Sequence, residues 1–198
     1  MIVYLVIFFI TGAGVSLAQD YNAQSGYELG LYSKDFMVRK YAVVEDKDMR
    51  NRVESVWNRV VRTVDKRGGI NYSLEILDTD DIGAWAFPGG FIVITKGLVN
   101  LTETDDELAF VIAHELGHQA YGHVDKPIEK ELEQRYKSFL EDKGIDGQGI
   151  VAEFTSEIAR QKEIDADQYG VLYTSISGYD ISSAFSILDK IITSDKSK

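Results

Sequence analysis

Two short segments decide what this chain can fold into. His114-Glu115-Leu116-Gly117-His118 carries two imidazoles and a carboxylate within one and a half helical turns, and Glu163-Ile164-Asp165-Ala166-Asp167 begins forty-five residues after the second histidine. On an α-helix, residues i and i+4 share a face one turn apart, so His114 and His118 project side by side. The same helix has Leu108, Val111, Ile112 and Leu116 along its buried side. Two histidines and a glutamate set in that apolar surface would be buried without partners, which is costly unless something is held between them.

A tetrahedral zinc ion satisfies the pair, at about 2.0–2.1 Å from each nitrogen. Glu115 cannot point in the same direction as its neighbour His114, yet its side chain reaches a water at the open position of such a site. Its role there is general base, taking the water proton and passing it to a leaving amine. The third ligand comes from elsewhere, and the chain has only three histidines. His123 lies half a turn off the ligand face if the helix continues. It reads as a helix C-terminal residue facing the negative end of the macrodipole, with a contact to the metal environment or to substrate as the alternative.

Glu163 is the better third ligand. Asp167, four residues on, shares its helix face and is placed to accept the remaining ring N–H of a ligand histidine, fixing its tautomer. Asp165, about 200° round the helix from Glu163, is expected in solvent. Taken alone, this stretch with Glu153 and Glu157 before it reads as an ordinary acidic surface; the upstream histidines single out Glu163.

Composition narrows the rest. The chain has no cysteine, which excludes disulfides, thiolate metal sites and cysteine nucleophiles. A net charge of −11 argues against nucleic acid as a partner, because little would neutralise phosphates. At 198 residues one domain with a real core is expected. Met1 to Ala18 holds no charged side chain, is apolar from Ile2 to Ile10, and ends in Ser16-Leu17-Ala18 before polar Gln19. It reads as a signal peptide cleaved after Ala18, with a membrane anchor over residues 2–18 as the alternative. Residues 19–45 then form a partly helical lead-in, and residues 46–198 the main domain.

Periodicity places the elements. Met49, Val53, Val56, Trp57, Val60, Val61 and Val64 have helical spacing over Asp46 to Lys66. Tyr72 to Ile76 alternates as a half-buried strand, and Phe91-Ile92-Val93-Ile94-Thr95 is a wholly apolar, β-branched second strand. Thr104 and Glu107 make a capping box opening a helix from about Asp105 to Tyr121. Further helices are expected after Pro127, over about Val151 to Thr174, and near Ser182 to Ile192. The class is α+β, mostly helical, with a small antiparallel or mixed sheet beside the histidine helix. Phe91 to Thr95 runs closely into that helix, so the strand is expected to lie at an open edge where an extended polypeptide pairs with it, with an interior strand paired on both sides as the alternative. Phe91, Ile92, Val93 and Ile94, with His123, are then the substrate contacts.

Three stretches carry a family resemblance. Gly83-Ala84-Trp85-Ala86-Phe87-Pro88-Gly89-Gly90-Phe91-Ile92-Val93-Ile94-Thr95-Lys96-Gly97-Leu98 resembles the segment before the metal helix in the CAAX prenyl protease and HtpX-type zinc metallopeptidases. The run from His114 to His123 resembles that family's metal helix, and Lys162 to Gly170 its third-ligand helix, with Ser177-Gly178-Tyr179-Asp180 like the turn that follows. The resemblance implies a gluzincin fold, one zinc per chain, and hydrolysis of unfolded or misassembled proteins by a soluble, exported member, periplasmic or secreted. A zinc-containing peptide binder or chaperone-like factor that does not hydrolyse is the alternative. One position departs: the family usually has Asn where Gly83 stands, a residue that could contact substrate backbone. His123, Tyr121 and Tyr169 are the candidates for stabilising an oxyanion.

Overall fold

Five consecutive buried residues, Phe91 to Thr95, set the centre of the sheet. The structure is a computed structural model that describes residues 23–64, 69–124, 137–138, 142 and 148–195. The N-terminal apolar segment and the helix expected after Pro127 lie outside the described residues. Strand β1 (Ser73–Leu77) pairs in parallel with β3 (Phe91–Thr95), and β2 (Ala84–Phe87) pairs with β3 antiparallel, in the order β1-β3-β2. The sheet is therefore mixed, and β3 is its interior strand.

That position overturns the expectation of an open edge at Phe91–Thr95. A continuous apolar run marks a strand covered on both faces, and here both edges are paired as well. Phe91, Ile92, Val93 and Ile94 belong to the core and offer no free backbone to a substrate. The outer side of β1 is partly taken by the preceding chain, with Val44 N–H donating to Ile76 O at 2.9 Å and Asp78 N–H to Ala42 O at 3.2 Å. The edge left without a strand partner among the described residues is that of β2.

Helix α1 (Ala23–Tyr41) packs over the β2–β3 turn, where Gly30 lies so close to Pro88 that a Cβ would overlap its carbonyl oxygen. Tyr27 meets Phe91 with ring centroids 5.2 Å apart, while Leu29 and Tyr32 stay exposed. Apolar residues on both sides of this helix explain why its sequence shows no clean period. Helix α2 (Lys47–Val61), capped by the Asp46 carboxylate on Met49 N–H, lays Val53, Val56 and Val60 into the core. After β3, Thr95 caps a six-residue helix α3 (Lys96–Leu101) and also bonds both backbone groups of Gly83, fastening the start of β2.

Helix α4 (Asp105–Ala120) then runs through the centre of the molecule, crossed by α5 (Gln148–Ile176) and closed by α6 (Ser183–Asp195). The Thr104 half of the capping box forms, with Glu107 N–H donating to Thr104 Oγ1, and the Glu107 carboxylate reaches one residue further back to accept Glu103 N–H at 2.7 Å. The buried carboxylate also takes Lys190 Nζ at 2.8 Å and the Ser186 hydroxyl, so one side chain ties α4 to α6. Burial alone would raise its pKa, but the bonds from Lys190, Ser186 and Glu103 outweigh that and hold it below the usual carboxylate range. A lowered folded-state pKa stabilises the fold above the unfolded value and is lost as pH falls through the folded one. Glu107→Gln should therefore lower the thermal midpoint by about 3–6 °C at pH 7. The gap to the parent should close as the parent carboxyl protonates in acid. Thermal scans from pH 7 to pH 3 check this; a gap that does not narrow in acid contradicts it.

Candidate metal centre

Two glycines bring the helices of the site into contact. A Cβ on Gly117, between the two histidines, would lie 2.9 Å from Tyr169 Cβ and 3.1 Å from Ala166 Cα. A Cβ on Gly170 would lie 2.9 Å from Phe110 Cε2. With hydrogen at both positions, α4 and α5 approach at backbone distance along the stretch that carries His114, His118 and Glu163.

The result is a convergent triad. His114 Nε2 and His118 Nε2 stand 3.2 Å apart, and the two Glu163 oxygens lie 3.6 Å from one and 3.6 Å from the other. Metal–ligand bonds of about 2.0–2.2 Å in tetrahedral array require edges of about 3.3–3.6 Å between ligand atoms. Two imidazoles and a carboxylate with these separations fit a zinc ion, with the fourth corner open. The three residues form a possible ligand group, all ligand atoms lying within 4.8 Å of one another.

Each histidine is oriented from behind. Asp167 Oδ1 is 3.0 Å from His114 Nδ1, so that nitrogen faces the carboxylate while Nε2 faces the triad. Burial disfavours charge on His114, but the bonds to Asp167 and Glu163 and the charge of Glu115 overcome it, and its pKa is raised to about 10. His118 goes the other way: burial first, then the neighbouring His114 charge, lower it to about 3. Glu163, half-buried but bonded to His114 and near His118, stays below the usual carboxylate range. Glu115 is 2% exposed, and burial, opposed by His114 and assisted by Glu163, raises it to about 7. A base is most effective when its pKa lies near the working pH.

Two further side chains shape the surroundings. Gln119, fully buried beside His118, donates from Nε2 to Phe87 O at 2.7 Å, tying the metal helix to the end of β2. Near Gly83 the Trp85 indole occupies the space a side chain would fill, since a Cβ there would lie 2.4 Å from Cη2. The departure from the family's usual Asn is thus matched by an aromatic ring in its place.

Residues 47–195 match the family profile described as Peptidase family M48. The chain belongs to that family. It is 30% identical over 132 residues to mitochondrial metalloendopeptidase OMA1 of Arabidopsis thaliana, covering 62% of this chain and 26% of that protein. It is 25% identical over 133 residues to the beta-barrel assembly-enhancing protease of Escherichia coli, covering 59% of this chain and 27% of that protein. Over 63 residues it is 38% identical to metalloprotease LoiP of Escherichia coli, covering 32% of this chain and 24% of that protein. The chain thus spans about a quarter of the length of these curated relatives. It carries a metallopeptidase domain of the M48 family, on a helical α+β scaffold with a three-stranded mixed sheet.

The structure groups the M48 residues differently from the sequence in two places. Asp165 is not in open solvent: half-buried, it sits 3.7 Å from His123 Nε2. His123 is not half a turn away, because α4 ends before it. Of the residues considered for an oxyanion, Tyr169 is buried and stacked on Tyr173 at 3.9 Å, while Tyr121 is half exposed and stacked on His123. Gln119 and the β2 edge were not singled out from sequence. Asp167→Asn should weaken zinc affinity about 10–100-fold in a chelator competition, and an unchanged affinity would remove Asp167 from the site.

Proposed function

We propose that this domain is a zinc-dependent endopeptidase that cleaves extended segments of unfolded or misassembled proteins. The observation that carries the reading is the triad of His114, His118 and Glu163 at tetrahedral spacing, with buried Glu115 beside it. His114, His118 and Glu163 would hold the ion, with Asp167 fixing His114, and a zinc bound there would lower the pKa of a water to about 7 and polarise a carbonyl. Glu115 takes the proton of the attacking water and delivers it to the leaving amine. Its apolar surroundings keep its proton affinity high enough to accept at neutral pH. The M48 relatives named as proteases support the same class of reaction.

Substrate lies along β2 in this account. Gly83 O accepts Thr95 N–H at 3.0 Å, and hydrogen-bonded pairs alternate in an antiparallel ladder. Gly83, Trp85 and Phe87 therefore turn their backbone groups to β3, and Ala84 and Ala86 turn theirs outward. A polypeptide adding there is held by its main chain, which tolerates many sequences. Gln119 holds the Phe87 end of this edge next to His118. Ala86→Pro removes an outward N–H, and should raise KM about five- to tenfold while sparing stability. Trp85→Pro removes a ladder bond and should destabilise. An unchanged KM in folded Ala86→Pro would contradict docking at β2.

Export is part of the proposal, resting on the apolar start of the chain and its small-residue stretch before Gln19. Among the described residues, no helix is long and apolar enough to cross a membrane. The zinc-loaded protein incubated with unfolded casein should release internal fragments of many lengths. Release of single terminal residues alone would contradict an endopeptidase.

A further inference from the structure

Helix α4 closes in a way that turns the chain back on its own ligand. Gly122 adopts φ +69°, its N–H donates to Gln119 O at 3.0 Å, and His123 N–H donates to His118 O at 2.9 Å. These are the paired bonds of a Schellman motif, in which a left-handed glycine ends the helix. The reversal carries the His123 ring to the rear of His118, with the two Nδ1 atoms 3.1 Å apart. Three contacts hold it there. The ring stacks on Tyr121 at 5.5 Å and 13°, Lys162 Nζ donates to its carbonyl at 3.3 Å, and Nε2 faces Asp165 Oδ2 at 3.7 Å. Asp165 is itself fixed by Gln161 Nε2 at 2.8 Å.

Proton positions follow from these contacts. A neutral imidazole that offers Nε2 to a metal carries its hydrogen on Nδ1. His118 therefore donates from Nδ1, and His123 Nδ1 must accept, which leaves the His123 hydrogen on Nε2. That is the atom facing Asp165. At 3.7 Å the carboxylate acts through charge rather than a direct hydrogen bond. The reverse tautomer of His123 would set two N–H groups against each other.

We propose that His123, held in its tautomer by Asp165, is a positioning residue that fixes the orientation of His118 toward the metal, as Asp167 does for His114. This rests on the metal-centre reading above. Glu163, Asp165 and Asp167 then divide the work within one turn and a half of α5: ligand, support for His118 through His123, and direct support for His114. An alternating acidic run that reads as a solvated face serves the ion at all three of its acidic positions.

The test uses the zinc-loaded full chain, measuring affinity by chelator competition and the rate of zinc release. His123→Leu removes the acceptor at similar volume and should weaken zinc binding about 10–100-fold, with faster release. His123→Asn places an amide oxygen about where Nδ1 stands and should recover affinity to within about threefold of the parent. Asp165→Ala should weaken binding in the parent and have no effect in the His123→Leu background, whereas simple loss of a nearby charge would act equally in both. Nitrogen NMR of the loaded parent should show the proton on Nδ1 of His118 and on Nε2 of His123. Parent-like affinity and release in His123→Leu, equal Asp165→Ala effects in both backgrounds, or the opposite tautomers would each overturn the inference while leaving the metal centre intact. If His123→Leu does not fold, the His123→Asn affinity and the tautomers of the parent still decide it. A parent that takes up no zinc would overturn the metal-centre reading, and this inference with it.

Discussion

Glu115→Gln should keep its zinc and lose hydrolysis, with kcat on casein falling by about 10²–10⁴-fold. The amide has nearly the shape of the carboxylate, so the packing of α4 around this buried position survives. It cannot take a proton from water, and on the proposed reading the neighbouring described groups do not replace it: His114 and His118 are committed to the metal, and Asp167 is turned to His114. Zinc content and casein hydrolysis measured on one preparation separate the two properties. Full metal with activity lost is expected. Full metal with parental activity would mean that Glu115 is not the base.

Glu163→Ala should have the opposite signature, with metal and activity lost together. A structural zinc site is worth about 10–16 kcal/mol over four ligands, so deleting one costs on the order of a hundredfold to a thousandfold in affinity. Two histidines on one helix leave the ion open on the side where α5 now closes it. Glu157→Ala is the control, since its carboxylate is engaged with Arg160 on the surface. Metal retained at parental affinity in Glu163→Ala would assign the third ligand elsewhere.

The candidate ligand group was legible because helical spacing converts sequence directly into geometry: i and i+4 on α4, and i and i+4 again at Glu163 and Asp167. The sheet was less so. Phe91 to Thr95 was expected at an open edge and is interior, since five apolar residues say that its faces are covered but nothing about its neighbours. The strand that completes it, Ala84-Trp85-Ala86-Phe87, is four residues long with alanines of low strand propensity, and its alternating aromatics were the available signal. The half-turn offset of His123 held only if the helix continued. The continuation of a helix decides where the ninth residue after His114 points, and Gly122 in the left-handed conformation stops it first. Asp165 followed from the same error, because its partner was not where an unbroken helix would put it. Close approach of α4 and α5 through Gly117 and Gly170 is a tertiary fact that neither glycine announces alone.

The central claim is that one zinc ion, held by His114, His118 and Glu163, makes this domain a protease. Stripping the purified protein of metal and adding zinc back in steps, while following casein hydrolysis, tests it most directly. The account predicts no hydrolysis in the stripped protein and a rise that saturates at one zinc per chain. Hydrolysis that persists in the stripped protein, or that is absent at every zinc level, would contradict it.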